Sequence, residues 1–426
     1  MKTRIIKLLL AASLLLPAAA RAQDALDGWI ATALQKNPQL LAAKKRWEAA
    51  KHKIPQARAF EDPQIGVDVE RSGTTRFDTF SDNEWMISQK LPWFGKRDAR
   101  GKVASFDAEG MGFQYIETLR EVRARVTMAY WNLWLAQKAV EVNSESKLLL
   151  QQFEETSRVR YETGQASQSD VLRAQMERAK LENELVSLER EVSVAQSAVN
   201  TLLNVPTNTP RHVDMDAALP PLDLSLDSMT ASARQYSPRL QAYVRSIKAK
   251  EASVRVAKQA YAPDFEFRVE ARQFNGKSGI QEYDTGVFLN FPWLWHGKYD
   301  AGVREAKADM EAAQAEYDST WNQIVFELKE MQTRADAAQR QMKLFETTVL
   351  PQAKQTIEAT RASYQVNRAT LLELIDAQRT LKQFQLDYYR ARADYAKNAA
   401  QLQQIVAPFG DAEMATGLVK SKKVKP

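Results

Sequence analysis

The sequence predicts a mainly α-helical protein with a small β part, in which long helices pair as coiled-coil hairpins and each chain carries two β-hairpins. Three features of the 426 residues predict this class. The sequence repeats itself internally at an offset of about 200 residues. Long segments almost free of Gly and Pro carry apolar residues at heptad spacing. Between them lie short segments of alternating polar and apolar residues, the pattern of half-buried strands.

The internal repeat is the strongest of these features. Its matching pairs are residues 37–40 with 237–240, 91–94 with 291–294, and 161–175 with 364–378. The offset drifts only from 200 to 203, and the matches keep their order, so chance similarity is a poor explanation. The predicted organisation is a first repeat at 23–204, a linker rich in turn residues at 205–224, and a second repeat at 225–410.

The two ends of the chain differ from this repeated body. Residues 2–7 are basic, 8–16 are apolar, and Ala20-Arg21-Ala22 matches a small-x-small cleavage site, so we predict a signal peptide at 1–22. Residues 411–426 contain four lysines after position 419 and are predicted to form a basic flexible tail. No later apolar run approaches the roughly 20 residues of a transmembrane helix.

Each repeat predicts the same order of elements. The expected helices are Asp24–Phe60, Lys96–Arg160 and Ser169–Leu203 in the first repeat, and Ser228–Tyr261, Lys298–Arg361 and Leu371–Val406 in the second. The middle helix of each set would be about 100 Å long at 1.5 Å per residue. The returning helices carry an apolar stripe at heptad spacing that begins at Leu181 and at Phe384, which predicts packing along a supercoiled seam.

Two pairs of strands separate the first helix of each repeat from the long one. The expected strands are Gln64–Glu70 with Asn83–Leu91, and Phe265–Arg272 with Tyr283–Phe291. Four strands are too few to close a channel, because even a filled barrel needs about eight. Three chains would supply twelve strands and leave no open edges. One face is charged and the other apolar, which fits water on one side and lipid on the other.

Four tryptophans lie within or just beyond the strands and could form a belt at a membrane interface: Trp85, Trp93, Trp293 and Trp295. The alternative is that they are core tryptophans of a soluble sheet.

The order of elements over 23–410 resembles the TolC family of outer-membrane factors, and the corner sequences 91–97 and 291–293 resemble its CzcC-like branch from heavy-metal efflux operons. The resemblance implies a homotrimer in the outer membrane of a Gram-negative bacterium, with a 12-stranded β-barrel in the lipid and an α-helical barrel crossing the periplasm. It also implies a periplasmic adaptor protein and an inner-membrane pump, of the RND type, as partners. The channel would be a passive duct, with heavy-metal cations as the expected cargo.

Two turns between long helices are the candidate functional sites. The resemblance implies that they form periplasmic tips that meet the adaptor; the residues concerned are Arg158, Gly164, Ser167, Asp170, Arg361, Asn367 and Thr370. Ser167 and Thr370 also fit helix N-caps, each followed three residues later by a carboxylate. The alternative is that this motif only caps helices, and one surface can also do both.

The resemblance further implies a gate of acidic rings just after the second tip, at Glu373 and Asp376. Three chains would bring the carboxylates together, where they would favour cations and raise one another's pKa. Glu373 stands where the family pattern has Asp, and the alternative is that it serves only as a cap.

No enzyme site is predicted. His52, His212 and His296 are scattered, and no phosphate loop, nucleophile elbow or metal-ligand spacing occurs, so no cofactor and no metal site are expected. The chain has no cysteine, and its repeated body has no clustered surplus of charge that would predict nucleic-acid binding. Two other functions fit the sequence: a soluble periplasmic coiled-coil scaffold or adaptor, and a duct for type I protein secretion.

Overall fold

The fold was analysed in a computed structural model that describes residues 18–70, 81–222, 225–410, 413 and 416–418. The predicted signal peptide and basic tail lie mostly outside these residues. The described elements are α1 (Ala18–Lys36), α2 (Pro38–Arg58), β1 (Gln64–Glu70), β2 (Asp82–Leu91), α3 (Lys96–Glu162), α4 (Gln168–Leu202), α5 (Leu226–Tyr236), α6 (Pro238–Gln259), β3 (Phe265–Phe274), β4 (Glu282–Leu289), α7 (His296–Leu344), α8 (Leu350–Gln365) and α9 (Leu371–Val406). A 3₁₀ turn, Pro292–Trp295, precedes α7, and a π-helical segment, Phe345–Val349, joins α7 to α8.

Two helix predictions were wrong in the same way. The segments expected as single helices, Asp24–Phe60 and Ser228–Tyr261, are each two helices that break before Pro38 and Pro238. Proline disfavours the helical conformation at the residue before it. At the first break, Asn37 Oδ1 accepts the N–H groups of Gln39 at 2.9 Å and of Leu40 at 3.3 Å, which caps the new helix.

The long helix of the second repeat is also not continuous, whereas α3 runs unbroken for 67 residues. Pro351 has no N–H to donate to the preceding turn, and the π-helical segment lies directly before it. The strand predicted as Tyr283–Phe291 ends earlier, at Leu289, and the side-chain oxygen of the next residue, Asn290, accepts the N–H of Asp264.

The chain packs as two compact units, each built from both repeats. Of the described residues, unit 1 contains those within 18–41, 117–237 and 323–409, and unit 2 contains those within 42–116, 238–322 and 410–418. None of the described helices has an apolar stretch of the length and hydropathy needed to cross a bilayer.

An aromatic core organises part of unit 1. Tyr130, Trp131 and Trp134 on α3 are all at least 98% buried, and their rings meet edge to face at 5.8 and 5.2 Å. The segment predicted as a linker packs against this core, since Val213 is buried and Trp134 Nε1 donates to the Met215 carbonyl at 3.1 Å. Such a bond gives the indole N–H of a buried tryptophan the hydrogen-bond acceptor that it needs.

Unit 2 contains one antiparallel sheet of four strands in the order β1-β2-β3-β4. Both predicted hairpins are confirmed, and they join through pairing of β2 with β3, which we did not predict. Successive residues of a strand point to opposite faces. With this register, all eleven charged strand residues share one face: Asp68, Glu70, Asp82, Glu84, Lys90, Glu266, Arg268, Glu270, Arg272, Glu282 and Asp284.

The other face of the sheet carries no charged residue and is exposed. Ile65 is 78% exposed, Tyr283 70% and Ile87 54%, and Trp85 in the middle of the face is 37% exposed. Apolar side chains exposed in a continuous block usually mark a surface that binds another molecule or a membrane.

Candidate functional site

The first turn joins α3 to α4 in unit 1 and depends on a glycine. Gly164 has φ +73°, a left-handed conformation that costs other residues about 1 kcal/mol. Its N–H donates to the Tyr161 carbonyl at 2.9 Å, and the next two N–H groups, of Gln165 and Ala166, both donate to the Arg160 carbonyl. The turn thus satisfies the last carbonyl groups of α3 with its own backbone.

The second turn joins α8 to α9 with the same geometry but a different residue. Asn367 has φ +61°, and asparagine is the side chain that best tolerates this conformation after glycine. Thr370 caps α9: its Oγ1 accepts the Glu373 N–H at 3.3 Å, and its own N–H donates to Glu373 Oε2 at 3.0 Å. This reciprocal pair is the predicted capping box.

The cap of α4 is looser. The Ser167 N–H donates to Asp170 Oδ2 at 3.3 Å, while Ser167 Oγ lies 2.7 Å from Ser169 Oγ.

Two of the other predicted tip residues are cations on the helices that lead into the turns. Arg158 is exposed and forms an ion pair with Glu155, which raises the pKa of the guanidinium through hydrogen bonding, and Arg361 is half-buried.

Below the turns, the two helical hairpins pack together. One apolar cluster takes residues from all four helices: Leu150, Phe153, Ala174, Leu181, Ile357, Tyr364, Leu371, Leu374 and Ile375. At its end Tyr364 Oη lies 2.9 Å from Ser157 Oγ, and Arg160 on α3 donates to the Tyr364 carbonyl. The structure therefore brings the two predicted tips together at one end of unit 1.

Ion pairs join α4 to α9 beside this cluster. Arg379 makes a two-point contact with Glu177, in which Nε lies 2.8 Å from Oε1 and Nη2 bonds Oε2. One heptad along α4, Glu184 accepts from Lys382 Nζ at 2.6 Å, and the same ammonium reaches Asn143 Oδ1 at 2.8 Å. The hydrogen bonds from Arg379 hold the pKa of Glu177 below its ordinary value.

The two predicted gate carboxylates are exposed on the opposite side of α9 from the apolar cluster. The carboxylate of Glu373 is engaged in the cap, and Asp376 Oδ1 lies 3.5 Å from Arg379 Nη1. Arg379 therefore connects a predicted gate residue to Glu177 on the other hairpin.

Sequence reasoning missed Glu177, Arg379, Lys382 and Asn143. A weak signal was present for Glu177, which lies between Ala174 and Leu181 at helical spacings of three and four residues, one position from Arg178, where the predicted heptad stripe continues. A charge in such a seam requires a partner across it. Its partners Arg379 and Lys382 have no counterparts in the first repeat, where Met176 and Ala179 stand, so the repeat gave no guide to them.

The four predicted interface tryptophans have different environments. Trp293 and Trp295 are 47% and 71% exposed in the 3₁₀ turn, and Trp85 lies on the uncharged face of the sheet. Trp93 is half-buried and stacks on Phe265 with centroids 5.3 Å apart. Among the residues that the structure describes, no three acidic or histidine side chains converge as metal ligands.

A body of repeated helical hairpins, joined to a sheet with one exposed and uncharged face, is the architecture of an outer-membrane channel subunit. The model of the family "Outer membrane efflux protein" matches residues 29–205 and 230–407. The chain belongs to this family.

Individual relatives agree with this assignment. Outer membrane protein TolC of Vibrio cholerae is 23% identical over 424 residues, which cover 92% of this chain and 93% of that protein. The cobalt-zinc-cadmium resistance protein CzcC of Cupriavidus metallidurans is 23% identical and covers 85% of each chain. The crystal structure of CusC, a channel-forming protein, shares the fold with a TM-score of 0.79 at 17% identity, covering 93% of this chain and 96% of that one.

Proposed function

We propose that this chain is the outer-membrane exit duct of a tripartite efflux system, acting as a homotrimer and carrying heavy-metal cations. It works with a periplasmic adaptor protein and an inner-membrane pump of the RND type. The duct is passive and catalyses no reaction; the pump supplies the energy, and the duct supplies a sealed path with a gate.

The observation that carries this proposal is the sheet. Its uncharged face is exposed and suits lipid, while its charged face suits water. Within the described residues, β1 and β4 each pair on one side only and offer an open edge. Three chains joined edge to edge would give twelve strands and satisfy these edges.

The internal repeat supports the trimer independently. Ile375 on α9 is 2% exposed, whereas its repeat equivalent on α4, Leu172, is 52% exposed. The position of Ile375 is therefore covered within the chain, whereas that of Leu172 is left open, and Met176, Val186 and Val194 on the same side of α4 are exposed as well. A neighbouring copy could cover it with the same packing that the chain uses internally.

The charged face supports cations as cargo. It carries eight acidic and three basic side chains, so each chain would add five negative charges to the path. A surplus of one sign along a narrow aqueous path concentrates ions of the opposite sign.

The tips and gate complete the proposal. Three copies of Glu373 and Asp376 would form the acidic rings at the periplasmic end. The exposed turns around Gly164 and Asn367 would contact the adaptor, while Ser167 and Thr370 hold the turns in shape.

Single-channel recording in planar bilayers tests this function. The purified protein should run as a heat-sensitive trimer on gels and form cation-preferring channels. Glu373→Gln with Asp376→Asn removes the gate charges but keeps an oxygen that accepts the Thr370 N–H, so conductance should rise without loss of the cap. The matched control is Asp170→Asn with Arg173→Gln at the equivalent positions of the first tip.

Unchanged conductance and cation preference in the gate variant would show that Glu373 and Asp376 do not form the gate. A protein that stays monomeric and forms no channels would instead support the soluble scaffold and contradict the duct itself.

A further inference from the structure

Helix α2 carries a concentration of positive charge that the duct function does not use. It contains six Lys or Arg residues and a single acid, Glu48. Four lysines and an arginine form two clusters one heptad apart, Lys44-Lys45-Arg46 and Lys51-His52-Lys53. The rest of the repeated body, 23–410 without α2, has five more acidic than basic residues, so this helix holds a local surplus.

These side chains face solvent. Lys44, Lys45, Arg46, Lys51 and Lys53 are all exposed, whereas the packing side of α2 is formed by Leu40, Ala43, Trp47, Ala50 and Ile54. Lys45 pairs with Glu48 at 2.7 Å, and among the described residues no carboxylate lies within ion-pair distance of Lys44, Lys51 or Lys53. Lys51 Nζ lies 4.2 Å from the centroid of the Trp47 ring, and Glu48 is the one acid that attracts this group of cations within α2. An exposed surplus of positive charge favours a polyanionic partner.

The charges extend along the helix, away from the sheet. Helix α2 lies antiparallel to the start of α3, since Arg58 lies against Gly101 and Trp47 against Gly112. At 1.5 Å per residue from the start of α3, Arg58 is roughly 8 Å and Lys44 about 28 Å from the end of the strands. If the sheet lies in the outer membrane, as proposed above, most of these charges are beyond the roughly 8 Å Debye length of a lipid surface.

The equivalent helix of the second repeat is different. Helix α6 also has six basic residues and one acid, but Arg245 pairs with Glu109 at 3.2 Å and Lys250 with Asp309 at 2.7 Å. Lys248, Arg255 and Lys258 of α6 are exposed as well, but they are spread along the helix, whereas the open cations of α2 form two clusters.

We propose that the exposed basic face of α2 is a docking surface for the carboxylate-bearing polymer of the periplasm, peptidoglycan. A stripe of cations that runs about 14 Å along a helix, from Lys44 to Lys53, matches anionic groups spaced along a strand or mesh better than it matches a flat bilayer. The inference rests on the proposed function for the placement of α2 outside the membrane.

Co-sedimentation with purified, insoluble peptidoglycan sacculi tests the proposal. The full-length mature trimer in detergent should pellet with sacculi, and the bound fraction should fall as salt is raised. The variant with Lys44, Lys45, Lys51 and Lys53 all changed to Gln should bind about tenfold more weakly. The matched control neutralises four exposed cations of unit 1, Lys329, Arg334, Arg340 and Lys354, and should bind as the wild type does.

Three outcomes would overturn the proposal: equal binding of the α2 variant, equal loss in the control, or stronger binding of the wild type to anionic phosphatidylglycerol vesicles than to sacculi. Conductance of the same preparations reports the duct function separately, and the α2 variant should conduct as the wild type does. Loss of channels with retained binding to sacculi would contradict the duct and leave the docking surface standing.

Discussion

The two helical hairpins of unit 1 have matching sequences at their tips but different surroundings. Leu374 and Ile375 of the α8–α9 hairpin are 1% and 2% exposed, while their equivalents in the α3–α4 hairpin, Val171 and Leu172, are half-buried and 52% exposed. A duplicated sequence has therefore been used once for packing within the chain and once for a surface. The comparison shows that the repeat fixes local shape, whereas burial depends on which neighbour is present.

The largest expected effect comes from truncating the buried member of this pair. Leu374→Ala should lower the free energy of unfolding by about 3 kcal/mol, because it leaves a cavity among helices that cannot collapse onto it. Val171→Ala should cost about 1 kcal/mol. Guanidinium unfolding of both detergent-solubilised variants, followed by circular dichroism, gives the two values. Equal losses in the free energy of unfolding would mean that the two hairpins are buried to the same extent at these positions.

The open face of α4 gives the next prediction. Leu172→Gln with Met176→Gln should leave the fold of each chain intact and weaken the trimer by roughly 2 kcal/mol per interface, since both side chains lose apolar burial against a neighbour. Heat stability of the trimer on gels measures the effect, and circular dichroism reports the fold. A trimer as stable as the wild type would show that another surface joins the chains.

The ion pair between α4 and α9 should matter less and depend on pH. Glu177→Gln should cost about 1 kcal/mol at pH 7, a modest value because Arg379 is half exposed to solvent. The pKa of Glu177 lies below its ordinary value of 4.5, because Arg379 hydrogen-bonds the ionised form. The stabilisation is therefore present above pH 4.5 and is lost as the pH falls through the lowered pKa.

Unfolding of the wild type and of Glu177→Gln between pH 3 and pH 7 tests this sign. The difference between their free energies of unfolding should be constant above about pH 5 and shrink below the ordinary pKa of a glutamate. A difference that grows on acidification would contradict the assignment of the ion pair.

Much of the fold followed from the sequence because local patterns encode it. The alternation of apolar and charged residues in Phe265–Arg272 predicted a strand and which residues share each of its faces. The capping residues Ser167 and Thr370 predicted the starts of α4 and α9 to within one residue. The breaks before Pro38 and Pro238 agree with proline chemistry, although the apolar pattern alone predicted continuous helices there. The pairing of β2 with β3 and the contact of Glu177 with Arg379 join residues about 180 to 200 positions apart, and no local pattern specifies which distant groups meet.

The smallest expected effects compare the two turns directly. Gly164→Ala should cost about 1 kcal/mol, because alanine strains at φ +73°, and no atom lies within 4 Å to clash with the new methyl group. Asn367→Gly should instead stabilise by about 0.5 kcal/mol, since glycine adopts the left-handed conformation with less strain than asparagine. Chemical unfolding of the two variants gives both signs in one experiment. A neutral Gly164→Ala would mean that the first turn relaxes to another conformation, in which case the matching geometry of the two tips would not be a requirement of the fold.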